Sequence, residues 1–318
     1  MNNNFILVLN CGSSSLKFSL INPETGTTLL LGLAERLLSE QAMIKIKHDG
    51  KKEQCPVPSP FDHESAILYL VAHLKKLTLV DCITAVGHRV VHGGEVYCQP
   101  TLIDDDVKTA IKNLARLAPL HNPANLTGII AAETAFPTLP QVAIFDTAFH
   151  QTMPEKAYIY GIPYRLYTQH GIRRYGFHGT SHYFVAKQVA KMLNKPLAQC
   201  SFISAHLGNG CSVTAIKDGK SVDTSLGMTP QEGIMMGTRS GDVDPGIIFH
   251  LINQLNYSVD DVENMLNKQS GLLGVSGISN DCRTIETAYT EDHNQQAKLA
   301  LEVFCYRIAK AIASYTAS

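Results

Sequence analysis

The sequence lacks the features that mark membrane-spanning, secreted and nucleic-acid-binding proteins. No apolar run approaches the roughly 20 residues that a membrane-spanning helix needs, and the opening Met1-Asn2-Asn3-Asn4 has no basic segment of the kind that begins a signal peptide. Lys and Arg (27) nearly balance Asp and Glu (28), so bulk charge attracts neither nucleic acid nor a membrane surface. We therefore predict a cytoplasmic protein with no nucleic-acid or membrane partner, which binds any anion through a local site.

Paired cysteine spacings are also absent. The eight cysteines include no C-x-x-C pair and are scattered along the chain at Cys11, Cys55, Cys82, Cys98, Cys200, Cys211, Cys282 and Cys305. Because zinc sites and disulfide frameworks require regular spacings, we interpret these residues as free thiols in a reducing compartment. His88, His92 and His150 do not follow the H-E-x-x-H pattern either, which argues against a zinc hydrolase.

The length of 318 residues and the order of the predicted elements indicate a two-domain α/β protein. Strand and helix patterns alternate through the first half, which includes a buried strand over Gln141–Phe145 that ends at Asp146. The pattern changes near Gln151–Pro154, where Tyr and Pro become frequent. We place the domain boundary there, which gives domains of residues 1–150 and 151–318.

Three connecting stretches are predicted from proline, glycine and capping residues. Gln54–Pro60 carries three prolines, which predicts an irregular connection. The loop Arg173–His182 leads into a helix for which Thr180 or Ser181 is the predicted N-cap. Gly271–Arg283 is punctuated by glycines, so its backbone can lie close to a ligand.

A small polar turn near the N-terminus is the first candidate phosphate site. Gly12 and three serines join two strand patterns, Phe5–Leu9 and Leu16–Ile21. With so little side-chain bulk, backbone N–H groups and hydroxyls can close around an anion, and Lys17 adds a positive charge. The alternative is an ordinary Gly/Ser hairpin loop, since such loops are common.

The same arrangement of strand, small turn and strand occurs again over Ser201–Ile216, where Gly208-Asn209-Gly210 forms the turn. Two such turns at the start of successive α/β halves indicate a duplicated architecture. They favour a nucleotide that is held from both sides.

Seven motifs, in order, resemble those of the acetate kinase family, within the larger group of sugar-kinase, Hsp70 and actin-like ATPases. They span nearly the whole chain and are residues 10–17 (NCGSSSLK), 87–94 (GHRVVHGG), 117–122 (LAPLHN), 145–150 (FDTAFH), 176–182 (GFHGTSH), 206–210 (HLGNG) and 236–242 (MGTRSGD). The resemblance implies a two-domain, duplicated ribonuclease H-like fold with a cleft between the domains.

The resemblance also implies a reaction. ATP and acetate give ADP and acetyl phosphate, with Mg²⁺ as the metal and Mn²⁺ as a possible substitute, in a homodimer. Residues 1–150 are then the domain for the acyl substrate and phosphate. Residues 151–318 are the domain for nucleotide binding and dimerisation.

By the same resemblance, Asn10 helps to hold the metal, and Lys17 meets an ATP phosphate. Arg89 faces the carboxylate substrate. The residues implied for catalysis are Asp146, His178 and Arg239, of which the last two stabilise the transition state.

The resemblance assigns two further stretches to the nucleotide. Those implied at its phosphates are His206, Leu207, Gly208, Asn209 and Gly210, and those implied beside the nucleoside are Asp281, Cys282 and Arg283. The family more often has an aromatic residue where Cys282 stands, so the resemblance leaves the detail of the contact with adenine open.

Acyl phosphoryl transfer explains why these residue types belong together. A carboxylate and a phosphoryl group repel each other, and one opposite charge at 4 Å offsets about 4 kcal/mol at an effective dielectric constant of 20. A positioned arginine raises phosphoryl-transfer rates by roughly 10³ to 10⁵. Because the carboxylate is already ionised near pH 7, no general base is needed. We therefore expect Asp146 to orient a histidine, an arginine or the hydrated metal.

Each candidate residue also has a purely structural interpretation. Asp146, at a strand end, is the kind of residue that caps a helix. Arg89 and Arg239 alone are compatible with surface ion pairs, which contribute little. His178 is compatible with a hydrogen-bonded structural histidine, and the same interpretation is favoured for His121 and His206.

Two alternative functions stay open. A propionate kinase differs only in the room that the acyl site leaves for one methylene. A nucleotide-binding module without an acyl acceptor, as in the actin-like and Hsp70-like relatives, is the alternative from another class. Chains of the family continue past the position of Ser318 with a glycine-rich adenosine loop and an acidic residue near the metal, and neither motif occurs here. On that basis we expect a chain ending at Ser318 to bind Mg-ATP weakly and to turn over slowly.

Overall fold

The computed structural model describes residues 4–119 and 121–318, which divide into two compact units between Ala148 and Phe149. Met1–Asn3 of the opening sequence and Leu120 of the 117–122 motif lie outside the described residues. Among the residues described, no helix is both long and apolar enough to cross a membrane.

The first unit is built on one large sheet. In chain order its strands are β1 (Phe5–Gly12), β2 (Ser15–Ile21), β3 (Thr28–Glu35), β4 (Met43–His48), β5 (Lys51–Pro56), β6 (Ile83–Val90), β7 (Thr101–Leu102) and β8 (Gln141–Phe145). Within the described residues the spatial order is β5-β4-β3-β2-β1-β6-β8-β7. Strands β1 to β5 form an antiparallel meander, whereas β1, β6 and β8 run parallel.

Three helices cover one face of this sheet. They are α1 (His63–Lys76), α2 (Asp105–Asn113) and α3 (Asn122–Ala135). Burial alternates along β1, where Leu7, Leu9 and Cys11 are buried and the intervening residues are only half-buried. This period of two is that of a sheet with one packed face.

Side-chain caps begin the first two helices. The Ser65 N–H donates to the Asp62 carboxylate at 2.8 Å at the start of α1. The Val107 N–H donates to Asp104 at the same distance at the start of α2. Each cap satisfies a backbone donor that the first helical turn leaves unpaired.

The predicted irregular connection over Gln54–Pro60 is wrong in its first part. Strand β5 runs to Pro56 and pairs with β4 through the turn at Asp49-Gly50. Because β5 is the edge strand and Pro56 is its last residue, the missing N–H of that proline interrupts no central ladder.

The second unit contains a three-stranded antiparallel sheet and most of the helices. Its strands are β9 (Phe202–Leu207), β10 (Cys211–Lys217) and β11 (Lys220–Thr224), in the order β11-β10-β9. Its helices are α4 (Glu155–Tyr158), α5 (Arg165–His170), α6 (Gly179–Met192), α7 (Pro245–Leu255), α8 (Val259–Lys268), α9 (Gly271–Ser276), α10 (Cys282–Thr290) and α11 (Gln295–Tyr315). The predicted hairpin with Gly208-Asn209-Gly210 at its turn is confirmed as β9 and β10.

Two stretches of this unit differ from the sequence predictions. The predicted N-cap of α6, Thr180 or Ser181, is wrong, because His178 precedes the helix with a left-handed φ of 56°. The chain therefore enters the helix earlier, and the His178 ring turns toward β10 instead of capping. The glycine-punctuated run Gly271–Arg283 forms α9 and the first residues of α10.

Candidate active site

The four site residues predicted in the first unit lie on the sheet face opposite to the helices. Asn10 on β1 pairs directly with Lys17 on β2. Leu9 pairs with His88 on β6, so Asn10 and Arg89 each follow by one residue and point to the other face. Asp146 comes directly after β8, which ends beside β6. The carboxyl ends of parallel strands thus collect these side chains at one edge, as in other α/β sheets.

Arg89 is the centre of this group. Its Nε and Nη2 atoms donate to Asp146 Oδ2 at 3.0 and 2.5 Å, and its Nη1 atom donates to Asn10 Oδ1 at 3.2 Å. The Asp146 side chain is only 2% exposed, whereas that of Arg89 is 38% exposed. Burial by itself would lower the pKa of Arg89, but the charge of Asp146 and the hydrogen bonds to it raise that pKa. A buried carboxylate therefore holds a guanidinium group whose remaining surface is accessible.

Amide side chains on α3 hold the end of β1 and the loop that follows β6. Asn125 Nδ2 donates to the Cys11 carbonyl at 2.7 Å, and its Oδ1 accepts from the Val91 N–H at 2.9 Å. Asn122 pairs in the same way with both backbone groups of His92, at 3.1 Å each. These residues fix the ends of the strands that carry Asn10 and Arg89. Sequence reasoning missed them, although two buried asparagines three residues apart on an apolar helix face are a usable signal.

Close approach of α3 to β1 supports this arrangement. A Cβ atom at Gly128 would overlap the Cys11 sulfur, so only glycine lets the helix lie this near to the strand. Cys11 is buried, and burial raises the pKa of its thiol to about 12. This cysteine is therefore a packing residue rather than a nucleophile.

In the second unit, His178 and Arg239 meet at the turn between β9 and β10. A Cβ atom at Gly210 would lie 3.2 Å from both His178 Nε2 and Arg239 Nη1. Arg239 Nη1 also donates to the Pro230 carbonyl at 3.1 Å. Because Gly210 has no side chain, the His178 imidazole and the Arg239 guanidinium lie next to bare backbone. Such a combination of backbone and hydrogen-bond donors suits a phosphate.

Asn209 connects this turn to the 236–242 motif and to the segment before α10. The Gly237 N–H donates to the Asn209 carbonyl at 2.9 Å, and a Cβ atom at Gly237 would overlap the Asn209 side chain. Asn280 Nδ2 donates to Asn209 Oδ1 at 2.8 Å. Hydrogen bonds of Asn209 therefore hold three segments together: the β9–β10 turn, the 236–242 motif and the segment before α10.

The residues predicted beside the nucleoside lie at the start of α10. Asp281 is its N-cap, and the backbone N–H groups of Thr284 and Arg283 lower the pKa of its carboxyl. Arg283 contacts Asp281 at 3.4 Å and is largely exposed, while burial raises the pKa of the Cys282 thiol. Leu207, on β9, is also exposed.

The predicted histidines pack against each other. The rings of His178 and His206 stack with their centroids 4.1 Å apart. His178 Nδ1 is hydrogen bonded to Ser212 Oγ at 2.9 Å, and His206 Nδ1 to Ser181 Oγ at 2.9 Å. Each ring thus has its Nδ1 atom engaged with a serine, which fixes its orientation.

The oxygen donors of the first unit fit a magnesium ion. Within residues 4–119 and 121–318, no group of three His, Cys, Asp or Glu side chains is arranged to hold a metal. Mg²⁺ commonly binds through one or two protein oxygens together with substrate phosphates and water. Asn10 Oδ1 and the Asp146 carboxylate, which share Arg89, are oxygens of this kind.

Comparison with known proteins supports a single family. The chain matches the acetokinase family over residues 5–318. It is 57% identical over 318 residues to an acetate kinase of Shewanella baltica, and the alignment covers 99% of this chain and 79% of that relative. The chain thus spans about four fifths of the length of this relative.

Solved structures agree. A propionate kinase from Francisella tularensis superposes with a TM-score of 0.95 at 48% identity, covering 98% of this chain and 80% of that one. The Porphyromonas gingivalis acetate kinase gives 0.93 at 44% identity, covering 99% and 80%. These similarities confirm the predicted fold class, the α/β architecture of the acetate kinases. By sequence and by structure, the chain belongs to the acetokinase family.

Proposed function

We propose that this protein is an acetate kinase, which transfers the terminal phosphoryl group of ATP to acetate and reversibly gives acetyl phosphate and ADP. The Arg89 group carries the proposal. A guanidinium has five N–H donors, and three of those of Arg89 are used by Asp146 and Asn10 within the described residues. The remaining donors suit one carboxylate substrate, which Arg89 binds and orients.

The phosphoryl group is stabilised in the second unit. His178 Nε2 and Arg239 Nη1 lie around Gly210, where they offset the charge that spreads over the phosphoryl oxygens in the transition state. His206, Leu207, Gly208 and Asn209 bind the nucleotide phosphates. Asp281, Cys282 and Arg283 lie beside the nucleoside.

Asp146 positions Arg89 in this proposal and takes no proton. Its carboxylate oxygen already accepts two N–H bonds from Arg89. Acetate is ionised near pH 7, so its oxygen attacks phosphorus directly and no proton has to be removed. Phosphoryl transfer is then a single in-line displacement.

Magnesium is the proposed metal. Asn10 would hold it through its amide oxygen, with Asp146 as a neighbouring carboxylate, and Lys17 would bind an ATP phosphate from the adjacent strand. Bound there, Mg²⁺ would neutralise part of the charge on the phosphate oxygens. Mn²⁺, which also accepts oxygen ligands, is the proposed substitute.

Location and assembly complete the proposal. The eight cysteines are free, which supports a reducing compartment, the cytoplasm. Residues 1–150 bind the acyl substrate and phosphate, and residues 151–318 bind nucleotide and form a homodimer. Exposed Phe184 and Phe249 in the second unit support an interface there.

Trapping acetyl phosphate with hydroxylamine tests the activity, and Arg239→Ala tests the site. We expect this variant to lose about 10³ to 10⁵ in kcat, because a positioned arginine contributes that much to phosphoryl transfer. Arg165→Ala, at an exposed arginine on α5 of the same unit, is the matched control and retains activity. The assay uses protein whose length is established by mass spectrometry. ATP binding without any acetyl hydroxamate would instead identify a nucleotide-binding module.

Propionate kinase is the second candidate, because a propionate kinase superposes with a TM-score of 0.95. One methylene changes kcat/KM by about 10- to 200-fold in an apolar site. We expect kcat/KM for acetate to exceed that for propionate. A clear preference for propionate would replace the first proposal by the second.

A further inference from the structure

A buried row of serine hydroxyls and histidine rings runs through the second unit and ends at His178. Ser204 Oγ lies 3.0 Å from His182 Nδ1, and His182 Nε2 lies 2.7 Å from Ser212 Oγ. Ser212 Oγ in turn lies 2.9 Å from His178 Nδ1. The row therefore runs from β9 through α6 and β10 to the Nδ1 atom of His178. The other nitrogen of that ring, Nε2, lies beside Gly210 and Arg239.

The central ring of this row is neutral. His182 is 0% exposed. Burial, together with the neighbouring His150 and His206 rings, lowers its pKa to about 2. In a neutral imidazole one of the two ring nitrogens carries a proton and donates, and the other is an acceptor. His182 therefore donates either to Ser204 or to Ser212, and it accepts from the other serine.

The single proton of Ser212 couples the two rings. Its hydroxyl lies between two ring nitrogens and can donate to only one of them. If it donates to His182, then His178 must carry a proton on Nδ1. If it donates to His178, then Nδ1 of His178 is an acceptor, and the proton of a neutral His178 is on Nε2.

Ser204 decides between these two directions. Its side chain is buried, and within the described residues its hydroxyl has one hydrogen bond, that with His182 Nδ1. If Ser204 accepted in that bond, its own proton would be buried without an acceptor. Buried donors are left unpaired less often than buried acceptors, which have a second lone pair. Ser204 therefore donates to Nδ1, His182 Nε2–H donates to Ser212, and Ser212 donates to His178.

We propose that Ser204, His182 and Ser212 form a one-directional hydrogen-bond chain that keeps the proton of neutral His178 on its Nε2 atom. Ser212 and His182 are thus positioning residues for His178. This inference rests on the proposed function only for its consequence in the reaction. A proton on Nε2 gives a donor toward the phosphoryl oxygens, whereas a bare Nε2 would direct a lone pair at them. Because the ring is already oriented, no reorganisation is needed during transfer.

The protonation state can be read directly by nitrogen NMR on the protein labelled with ¹⁵N-histidine. His178 resonances are assigned by their loss in His178→Gln. In the unliganded protein, at a pH where the ring is neutral, we expect a proton on Nε2 and an unprotonated Nδ1. A proton on Nδ1 would overturn the inference, whatever the activity. Absence of turnover together with a protonated Nε2 would overturn the proposed function alone.

Kinetics of Ser212 variants give the second test. We expect Ser212→Ala to lower kcat about tenfold, the usual effect of one lost hydrogen bond, with KM values for ATP and acetate within about twofold. Ser212→Thr retains the hydroxyl and restores most of kcat. Ser221→Ala is the matched control, since Ser221 is a buried serine whose hydroxyl bonds a buried histidine, His150, at 2.8 Å.

The control separates positioning from folding. Both alanine variants remove a buried hydroxyl next to an imidazole in the same unit, so both lower the midpoint of urea unfolding. Only Ser212→Ala is expected to lower kcat. Equal losses of kcat in the two variants, or an unchanged kcat in Ser212→Ala, would contradict the proposed role.

Discussion

Two buried polar side chains of this protein show how a fold accommodates such groups. Asp146 and His182 are both nearly inaccessible, yet each has hydrogen-bond partners, so neither is an uncompensated buried group. The two cases differ in charge. The carboxylate is matched by Arg89, whereas the imidazole is kept neutral, which has a measurable cost at low pH.

Because of His182, we expect the free energy of unfolding to decrease as the pH is lowered. Its pKa is about 2 in the folded protein and about 6.5 in an unfolded chain. Below about pH 6.5 the unfolded state therefore binds one more proton, so the free energy of unfolding decreases by up to about 1.4 kcal/mol per pH unit as pH falls. This contribution is constant above pH 7.

Urea unfolding between pH 7.5 and 4.5 measures this slope. We expect His182→Asn to make it shallower, although other buried histidines such as His88, whose pKa burial also lowers, contribute to both proteins. His250→Asn, at an exposed histidine on α7, is the control and keeps the parental slope. Identical slopes for the parent and His182→Asn would show that His182 is not neutral in the folded state.

Among the helices and strands, the features that a sequence can predict are those that depend on residues close together in the chain. The caps at Asp62 and Asp104 are of a kind that a sequence can indicate, because a cap joins residues only a few positions apart. The hairpin of β9 and β10 was predictable for the same reason. His178 was not recognised as the residue preceding α6, because its left-handed backbone occurs with contacts to Ser212 and His206, which lie far away in sequence.

Candidate site residues follow the same division. The motifs identified Arg89 and Asp146 as candidates. These residues are 57 positions apart in sequence, and only the pairing of β6 with β8 brings them within hydrogen-bond distance. Asn125 was missed because its partner, the Cys11 carbonyl, is 114 positions away. Partners that depend on strand order and helix placement cannot be read from local patterns.

The contact between α3 and β1 is expected to be intolerant of added volume. Gly128→Ala places a methyl group against the Cys11 sulfur and should lower the free energy of unfolding by about 1 to 3 kcal/mol. Cys11→Ala removes that sulfur, so the double variant should lose less than the sum of the two single variants. Urea unfolding of all four proteins measures the coupling. Additive losses would mean that the two residues do not contact each other.

For the protein as a whole, the proposed division of labour between the two units is testable by hydrogen exchange. A non-hydrolysable ATP analogue should slow amide exchange at the β9–β10 turn and at the start of α10, because the proposed contacts order that backbone. Adenosine alone should protect only the start of α10. Acetate should instead protect the end of β6, near Arg89. Protection by adenosine confined to the first unit would contradict the assignment of nucleotide binding to residues 151–318.

The alternating burial along β1 has a consequence for substitutions in this strand. Leu7, Leu9 and Cys11 contact the packed interior, while Asn10 takes part in the arginine group on the opposite side. A substitution at one of the packed positions is therefore expected to change stability, whereas a substitution at Asn10 is expected to change the arginine group and leave the core packing of β1 intact.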